Sequence, residues 1–334
     1  MAIRIGINGF GRIGRLVLAA MIKDDDLEVV AGNDLGKLDM MAHLLKYDSV
    51  HKQLFKSVEV VEDGLLLDGK FVKALSNRDI GKLDWGGIGV DLVVEASGHY
   101  NDALKAKAHI DGGAKKVLIT APAKNEDITI VLGVNEGLYD PKQDNIVSNA
   151  SCTTNCLAPV AKVLLDEFGI KRGYMNTIHS FTGDQRILDG SHSDLRRARA
   201  ATMSMVPTTT GAARAVSLVL PSLKGKLDGF ATRVPTPDAS MVDLTVELEK
   251  SVTKEEVNAA MKAAAEGPLE GILEYCTDPI VSVDVIGNLH SSVFDSGLTM
   301  VLGGESNLIK VISWYDNERG YSQRVKDLAK FMMK

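Results

Sequence analysis

Two cysteines stand four residues apart in the segment Ser151-Cys152-Thr153-Thr154-Asn155-Cys156, between a short apolar run and the helical run 157–168. Cys152 is therefore expected at a helix N-terminus, where free N–H groups and the helix dipole favour a thiolate. We predict a lowered pKa and a nucleophilic role for Cys152. Cys156 falls inside the same helix and is predicted to be a buried packing residue. Two cysteines at this spacing, without a second pair, do not resemble a zinc site, so no metal is predicted.

A thiol nucleophile needs a base nearby, and the chain has seven histidines. His179 is the best candidate, because it ends the apolar run 174–180 just before a polar loop. Catalytic groups commonly collect where strands end. We assign His179 as the acid/base, with the other histidines as surface or packing residues.

A glycine motif near the start of the chain predicts a dinucleotide site. Gly9, Gly11 and Gly14 match the pattern G-x-G-x-x-G, with a strand-like run before them and a helical run after them. Asp34 ends the next strand-like run, 20 residues past Gly14, where an acid that binds a ribose is expected. The glycines permit close approach of backbone N–H groups to a pyrophosphate. A carboxylate at position 34 predicts NAD, because it repels the additional phosphate of NADP.

Hydroxyl and arginine clusters are candidate anion sites. Thr208-Thr209-Thr210-Gly211 precedes a helical run, 196–199 is a short basic run, and Arg233 lies in a Thr/Pro-rich segment. Each is also compatible with a turn or a solvated face, and for the basic run alone the solvated face is favoured. The net charge of −6 and the pI near 5.7 argue against a dedicated nucleic-acid or membrane partner.

These groups need a scaffold, and the chain changes character near residue 150. Before it, short apolar runs alternate with helical or polar segments, which favours a mainly parallel, doubly wound α/β sheet, and 58–72 resembles an antiparallel hairpin. After it, an α+β arrangement with a mostly antiparallel sheet is predicted. Its strands are expected at 174–180, 241–248, 284–286, 298–302 and 309–315, a capped helix is expected from 253, and a last helix is expected within 317–334.

The chain, 334 residues long, opens without an apolar secretory segment, and three sparse cysteines do not form a disulfide framework. We therefore expect a cytoplasmic protein.

Together these segments resemble the phosphorylating glyceraldehyde-3-phosphate dehydrogenases along the whole chain. The matching blocks are GINGFGRIGR at 6–15, ASCTTNC at 150–156, HSFTGDQ at 179–185, DLRRARAA at 194–201, PTTTGAA at 207–213, RVPTPDAS at 233–240 and WYDNERGYS at 314–322. The resemblance implies a Rossmann-type NAD domain formed by residues 1–150 and 317–334, a catalytic domain formed by 151–316, and a homotetramer.

The resemblance also implies roles for individual residues. Cys152 matches the nucleophile and His179 its acid/base partner. Cofactor contacts match Arg12, Ile13, Asp34, Arg78, Thr120 and Asn317, the last at the nicotinamide carboxamide. Thr182 and Arg233 match the pocket for the phosphate of the substrate. Ser151, Thr153, Arg197, Thr210 and Gly211 match the site for the attacking inorganic phosphate or contacts that flank it.

In such enzymes a thiohemiacetal on the cysteine is oxidised to a thioester, and inorganic phosphate then releases 1,3-bisphosphoglycerate. One position departs from many NAD-specific members, which have Leu-Pro where this chain has Gly190-Ser191. This pair resembles chloroplast members that also accept NADP, so we expect NAD to be preferred and NADP to be a poor substitute. The alternatives are an erythrose-4-phosphate dehydrogenase, a more distant semialdehyde dehydrogenase, and a surface adhesin or RNA-binding role.

Overall fold

The computed structural model describes residues 2–334, which form two compact units. The first unit comprises residues 2–130, 137–150 and 322–334, and the second comprises 131–136 and 151–321. Within residues 2–334, no helix has the length and apolar character needed to cross a membrane.

The first unit is built on a nine-stranded sheet. Its strands are β1 (Ile3–Asn8), β2 (Leu27–Asn33), β3 (Val58–Val61), β4 (Gly64–Leu67), β5 (Lys70–Leu75), β6 (Leu92–Glu95), β7 (Lys116–Ile119), β8 (Ile128–Thr129) and β9 (Ile146–Ser148). Their order is β3-β4-β5-β2-β1-β6-β7-β9-β8, and only the β3-β4-β5 meander is antiparallel. The predicted hairpin is therefore confirmed, and it continues the main sheet because β5 pairs in parallel with β2.

Short helices connect these strands, and the central strands are apolar along their length. The helices are α1 (Arg12–Met21), α2 (Leu38–Lys46), α3 (Trp85–Ile88), α4 (Ala103–Ala106) and α5 (Ala108–Asp111). All four residues of β6 are buried, as expected for a parallel strand covered on both faces. Strand β1 lies between β2 and β6, so the strand order reverses beside β1. In such sheets a ligand binds at the carboxyl ends of the strands at this reversal.

The second unit combines a largely antiparallel sheet with helices. Its strands are β10 (Ile170–Ser180), β11 (Val206–Thr209), β12 (Leu227–Val234), β13 (Ser240–Thr253), β14 (Leu273–Cys276), β15 (Ser292–Asp295), β16 (Met300–Val301) and β17 (Glu305–Tyr315). The order is β11-β12-β10-β13-β17-β15-β14, with β16 beside β17; the pairs β10–β12 and β14–β15 are parallel. The helices that begin in this unit are α6 (Cys152–Phe168), α7 (Ala212–Val219), α8 (Lys254–Ala265) and α9 (Arg319–Met332), whose residues from 322 onward belong to the first unit.

The predicted architecture is confirmed in both units, with local differences. Along β13, buried and half-buried residues alternate from 240 to 248, the two-residue period of a strand with one covered face. The capping box at Thr253 is present, with the Thr253 side chain and Glu256 exchanging hydrogen bonds with each other's backbone N–H. The strand expected at 284–286 is wrong: a 3₁₀ turn occupies Ser282–Val285. Only Met300–Val301 of the expected strand 298–302 is extended, because a 3₁₀ turn precedes it.

Candidate active site

Cys152 is the first residue of α6, and the preceding residue caps the helix. The Ser151 hydroxyl accepts a hydrogen bond from the Thr154 N–H at 3.0 Å, and the Asn155 amide donates to the Ser151 carbonyl at 3.0 Å. These bonds fix the turn that presents the thiol. The predicted placement of Cys152 at a helix N-terminus is confirmed.

Parallel pairing of β10 and β12 places His179 directly opposite Arg233. His179 Nε2 lies 3.5 Å from Cys152 Sγ, and its Nδ1 lies 2.7 Å from the Ser180 carbonyl oxygen. Nδ1 therefore has two neighbours, a carbonyl that only accepts and the Arg233 guanidinium, which only donates. We assign the proton of the neutral ring to Nδ1, because this satisfies the shorter contact while Arg233 donates to the carbonyl, and it leaves Nε2 able to accept the thiol proton. Arg233 Nη1 donates to the same carbonyl at 3.0 Å and lies 2.9 Å from Nδ1.

The electrostatics of this group favour a neutral thiol beside a neutral imidazole. Burial raises the pKa of the Cys152 thiol, while the Arg233 charge and hydrogen bonds from Thr153 and the Cys152 N–H oppose that shift. Burial and the Arg233 charge lower the pKa of His179 to about 3. The expected lowering of the Cys152 pKa is therefore wrong, because burial outweighs the helix N-terminus.

The second cysteine of α6 behaves as predicted. Cys156 is fully buried, and burial raises the pKa of its thiol to about 12. Its sulfur lies 3.5 Å from the Ser292 hydroxyl and 3.7 Å from the Ser313 carbonyl oxygen. A thiol held in this way remains protonated at neutral pH and is a poor nucleophile.

A buried tyrosine connects the elements that carry the thiol and the imidazole. The Tyr315 hydroxyl lies 2.8 Å from Thr153 Oγ1 on α6 and 2.9 Å from Thr177 Oγ1 on β10. Its ring meets the His179 ring edge-on, with the centroids 5.8 Å apart. Sequence reasoning assigned no role to Tyr315, although it lies within the WYDNERGYS block.

Arg233 is the basic group closest to the thiol and imidazole. Its side chain is largely buried, and burial lowers the pKa of the guanidinium. Its Nε has no hydrogen-bond partner among residues 2–334. A buried cation with an unused donor fits an anionic ligand, because a charge-assisted hydrogen bond would satisfy that donor.

Four other residues that were assigned to anion binding lie in the segments after β10 and β11: Thr182, Arg197, Thr210 and Gly211. Arg197 donates to the Asp184 carboxylate, to Thr208 Oγ1 at 3.0 Å and to the Thr209 carbonyl at 3.0 Å. The Thr182 carbonyl accepts the Gln185 N–H at 3.0 Å, and Thr210 Oγ1 accepts the Ala212 N–H at 3.2 Å. Gly211 is exposed beside Thr210. Arg197 and Asp184 both act on Arg233 electrostatically, so these loops share its local field.

Asn317 follows β17 and is buried beside β13. Its Oδ1 accepts a hydrogen bond from the Ser240 hydroxyl at 2.7 Å, and that hydroxyl accepts the Ser180 N–H at 3.1 Å. Asn317 is therefore linked through Ser240 to the residue whose carbonyl holds His179. Sequence reasoning named Asn317 but did not identify Ser240 or Ser180.

The first unit has a cavity of about 600 Å³ at the carboxyl ends of β1, β2 and β6. Four predicted cofactor residues, Gly9, Gly11, Asp34 and Arg78, are among those that line it. The Asp34 carboxylate accepts the N–H groups of Phe10 and Gly36, both at 2.8 Å, which ties the glycine turn to the end of β2. Each carboxylate oxygen retains a second lone pair for a ligand hydroxyl.

The three glycines of the turn fit a bound pyrophosphate. Gly9 has φ +98°, and a Cβ there would lie 2.6 Å from the Ser97 backbone. A Cβ on Gly14 would lie 1.9 Å from the Gly9 carbonyl oxygen, so the protein itself requires both glycines. A Cβ on Gly11 would meet no atom of residues 2–334 within 4 Å, apart from its chain neighbours. Gly11 therefore borders open space at the start of α1, which leaves room for a ligand to approach the backbone, as a dinucleotide site requires.

The remaining predicted cofactor residues lie outside the residues that line the cavity. Arg12 opens α1 and donates to Asp48 at 2.9 and 3.2 Å, and Ile13 beside it is half-buried. Thr120 follows β7 and donates through its hydroxyl to the Glu95 carbonyl at 3.0 Å. Gly190 and Ser191 are exposed. The assigned roles of these residues stay predictions.

Comparisons with known proteins agree with this geometry. A model of the glyceraldehyde 3-phosphate dehydrogenase NAD binding domain matches residues 3–103, and one of the C-terminal domain of the same family matches 151–317. A glyceraldehyde-3-phosphate dehydrogenase of Geobacillus stearothermophilus is 60% identical over 332 residues, with 99% of this chain and 98% of the relative covered.

Two further relatives match over nearly the whole chain. Glyceraldehyde-3-phosphate dehydrogenase 1 of Bacillus subtilis is 58% identical over 334 residues, covering 100% of this chain and 99% of the relative. A glyceraldehyde-3-phosphate dehydrogenase of Mycolicibacterium smegmatis is 57% identical over 337 residues, with 98% of each covered. The cofactor prediction of NAD is confirmed, and the chain belongs to the glyceraldehyde-3-phosphate dehydrogenase family.

Proposed function

We propose that the chain catalyses the oxidative phosphorylation of D-glyceraldehyde 3-phosphate to 1,3-bisphosphoglycerate with NAD, a step shared by glycolysis and gluconeogenesis. The observation that carries the proposal is the group formed by Cys152, His179 and Arg233: a thiol 3.5 Å from an imidazole nitrogen, with a buried guanidinium 2.9 Å from the other nitrogen. A nucleophile, a base and an anion-binding group are the three parts that this reaction needs in one place.

In this proposal Cys152 adds to the aldehyde carbon while His179 Nε2 takes the thiol proton, which forms a thiohemiacetal. The imidazolium gives this proton to the oxygen of the former aldehyde, which completes the thiohemiacetal hydroxyl. His179 Nε2 then removes the same proton as the carbon is oxidised to a thioester. The N–H groups at the start of α6 stabilise the oxyanion. NAD, when bound, supplies the hydride acceptor.

Different residues of the chain bind the two ends of the cofactor. Gly9, Gly11, Gly14, Asp34 and the residues near them bind the dinucleotide, and Asn317 orients the carboxamide of its nicotinamide. Residues 1–150 with 317–334 act as the cofactor domain, and 151–316 act as the catalytic domain.

Two anion sites serve the two phosphates of the product. Thr182 and Arg233 bind the phosphate of the substrate. Inorganic phosphate, which attacks the thioester, is bound by Ser151, Thr153, Arg197, Thr210 and Gly211. The basic groups Arg197 and Arg233 influence one another electrostatically, which supports two neighbouring anion sites in an acidic protein.

We further propose a homotetramer located in the cytoplasm. Support for assembly comes from five apolar side chains within the segment 187–205, each at least 70% exposed: Ile187, Leu188, Leu195, Met203 and Met205. Exposed apolar surface of this kind commonly marks protein interfaces. Light scattering after size exclusion should give about four times the chain mass of 35.9 kDa. A monomer at micromolar concentration would contradict the assembly.

The reaction is tested by following NADH formation from D-glyceraldehyde 3-phosphate with and without inorganic phosphate. Sustained turnover is expected only with phosphate, and a single burst is expected without it, because the thioester accumulates. D-erythrose 4-phosphate is the matched comparison. A higher kcat/KM on this four-carbon aldehyde, without dependence on phosphate, would identify an erythrose-4-phosphate dehydrogenase instead.

The nucleophile is tested by alkylation. Iodoacetamide should label Cys152 before Cys156 or Cys276 and abolish turnover, because His179 can accept the Cys152 proton. His179→Asn should slow the labelling of Cys152. Labelling of Cys276 first, with activity retained, would contradict the assignment.

A further inference from the structure

Three buried residues form a hydrogen-bond chain beside the catalytic pair. Asn317, Ser240 and Ser180 are 6%, 1% and 0% exposed. The Ser240 hydroxyl donates to Asn317 Oδ1 at 2.7 Å and accepts the Ser180 N–H at 3.1 Å. The sheet brings these three residues together, because β13 begins at Ser240 between the end of β10 and the end of β17.

The chemistry of these partners fixes the orientation of the Asn317 amide. A hydroxyl has one proton to donate, and the Ser180 N–H occupies a lone pair of the Ser240 oxygen. The Ser240 hydroxyl proton is therefore donated to Asn317 Oδ1, its acceptor among residues 2–334. Rotating the amide by 180° would place NH₂ there and leave the buried hydroxyl proton without an acceptor, which is unfavourable. The NH₂ group of Asn317 is therefore held on the opposite side, as a donor.

We propose that Ser240 is a positioning residue that presents the Asn317 NH₂ group to the carbonyl oxygen of a pyridine carboxamide, the nicotinamide end of the cofactor. The proposal rests on the role of Asn317 in the proposed function. Ser240 also holds Ser180, whose carbonyl accepts from His179 Nδ1 at 2.7 Å. The Ser240 hydroxyl thus orients two groups. One is the Asn317 NH₂ that would bind the nicotinamide, and the other is the Ser180 backbone that holds the His179 ring.

The orientation makes a prediction about cofactor analogues. A ring substituent needs a carbonyl oxygen to accept from Asn317, but it does not need an amide NH₂. The 3-acetylpyridine analogue of NAD keeps the carbonyl and lacks the NH₂, so the wild-type protein should bind it within about threefold of NAD. If Asn317 instead offered its oxygen, the analogue would lose that hydrogen bond and bind about tenfold more weakly.

The decisive variant is Ser240→Ala, compared with Thr236→Val. The Thr236 hydroxyl lies 3.1 Å from the Ser180 hydroxyl, so this control removes a neighbouring hydrogen bond without touching Asn317. Dissociation constants for NAD, the acetylpyridine analogue and ADP-ribose are measured by titration calorimetry. Ser240→Ala should weaken both dinucleotides about 2- to 10-fold and leave ADP-ribose, which lacks the ring, unchanged. Thr236→Val should leave all three within twofold.

The outcomes separate the inference from the reaction it depends on. Equal weakening of NAD and ADP-ribose by Ser240→Ala, or no weakening of NAD, overturns the positioning role. Absence of turnover by the wild-type protein on D-glyceraldehyde 3-phosphate overturns the proposed function but leaves the binding comparison readable. If Ser240→Ala does not fold, Ser240→Cys keeps the shape with a weaker donor, and a smaller loss confined to the two dinucleotides is expected.

Discussion

Each unit of the molecule buries one histidine within a polar network, His109 in the first and His179 in the second, and the two networks differ in what they allow the ring to do. In the first unit, the Trp85 indole N–H donates to His109 Nδ1 at 3.0 Å, and His109 Nε2 lies 3.0 Å from a Glu95 carboxylate oxygen. An indole N–H only donates, so Nδ1 must accept and the proton lies on Nε2. Both nitrogens of His109 have partners that fix their roles.

In the second unit, only one nitrogen of His179 is fixed in this way. Nδ1 donates to the Ser180 carbonyl, while Nε2 faces the Cys152 thiol, which can give up its proton. The partner beside the ring is a guanidinium rather than a carboxylate. Burial alone therefore does not identify a catalytic histidine; what distinguishes His179 is a nitrogen whose partner can exchange a proton.

The Glu95 network shows what the fixed arrangement does for the fold. The Glu95 carboxylate also accepts from Asn8 Nδ2 at 2.6 Å and from the Ser97 N–H at 2.8 Å. Asn8 and Ser97 both line the cofactor cavity. A buried carboxylate with partners on both oxygens thus holds residues that line that cavity.

The strongest test of the difference between the two histidines removes the Cys152 thiol, the group that can give its proton to His179. Cys152→Ala should lower kcat by about 10⁶-fold, the scale seen when a covalent nucleophile is lost. Cys156→Ala, on the same helix, should leave kcat within about threefold and lower stability, because it creates a buried cavity. Steady-state assays with denaturant unfolding separate the two effects. Comparable losses of kcat in both variants would mean that the thiol of Cys152 has no special role.

The two histidines should separate in the same assays. His179→Asn should lower kcat by about 10²–10⁴-fold with a small change in the free energy of unfolding, because the general base is lost. His109→Asn should leave kcat per folded molecule within a few-fold. A histidine that mattered for kcat in the first unit would break the distinction drawn above.

For the free energy of unfolding, replacing His109 should have the larger effect and replacing His179 the smaller one. His109→Leu leaves the Glu95 carboxylate buried beside an apolar side chain, which should lower the free energy of unfolding by about 3–5 kcal/mol. The control is His43→Leu on the exposed face of α2, which should change it by less than about 0.5 kcal/mol. Urea unfolding measures both, and a small effect at His109 would show that the network tolerates an unpaired carboxylate.

The two histidines also differ in the charged group beside them, which is the Glu95 carboxylate for His109 and the Arg233 guanidinium for His179. Replacing Arg233 tests what this charge does in the second unit. Arg233→Leu should lower kcat/KM for D-glyceraldehyde 3-phosphate about 10- to 150-fold more than for glyceraldehyde without phosphate, because it removes charge-assisted hydrogen bonds. Arg196→Leu, at an exposed position nearby, removes the same charge and should affect both substrates equally and slightly. Equal large losses on both substrates in Arg233→Leu would assign Arg233 a structural role.

The parts of the molecule that sequence predicted are those set by local spacing. The glycine turn, Asp34 at the end of β2 and Cys152 at the start of α6 all follow from residues close together in the chain. The meeting of His179 and Arg233 does not, because it depends on parallel pairing of strands 54 residues apart. The different networks of His109 and His179 are a tertiary property, because their partners lie on other elements of the fold.

The errors have the same origin. The helix N-terminus that suggested a lowered Cys152 pKa is local, whereas the burial that raises it comes from the whole site. Strands β11, β12, β14 and β15 were not predicted, because each is short or mixes polar and apolar residues. Ser240 and Tyr315 lie within matching blocks but were given no role, because their roles are hydrogen bonds to other strands and helices.

Cofactor choice depends on Asp34, the carboxylate of the first unit that should bind ribose. Its charge opposes the 2′-phosphate of NADP by ~1 kcal/mol at 4 Å in water and ~4 kcal/mol at an effective dielectric of 20. Each 1.4 kcal/mol is tenfold, so NAD should be preferred by kcat/KM about ten- to several-hundred-fold. Gly190 and Ser191 should soften this preference, since a small residue leaves room and a hydroxyl can donate to phosphate.

Asp34→Asn removes the charge and keeps the shape, so the ratio of kcat/KM for NAD to that for NADP should fall toward unity. Most of the change should be lost NAD affinity, because the amide offers one acceptor where the carboxylate offered two to Phe10, Gly36 and the ribose. Asp39→Asn, an exposed change of the same charge on α2, should leave the ratio unaltered. Both cofactors are compared at one ionic strength, since salt screens exposed charges. Equal use of NAD and NADP by the wild-type protein would instead make Gly190 and Ser191 the residues that decide cofactor choice.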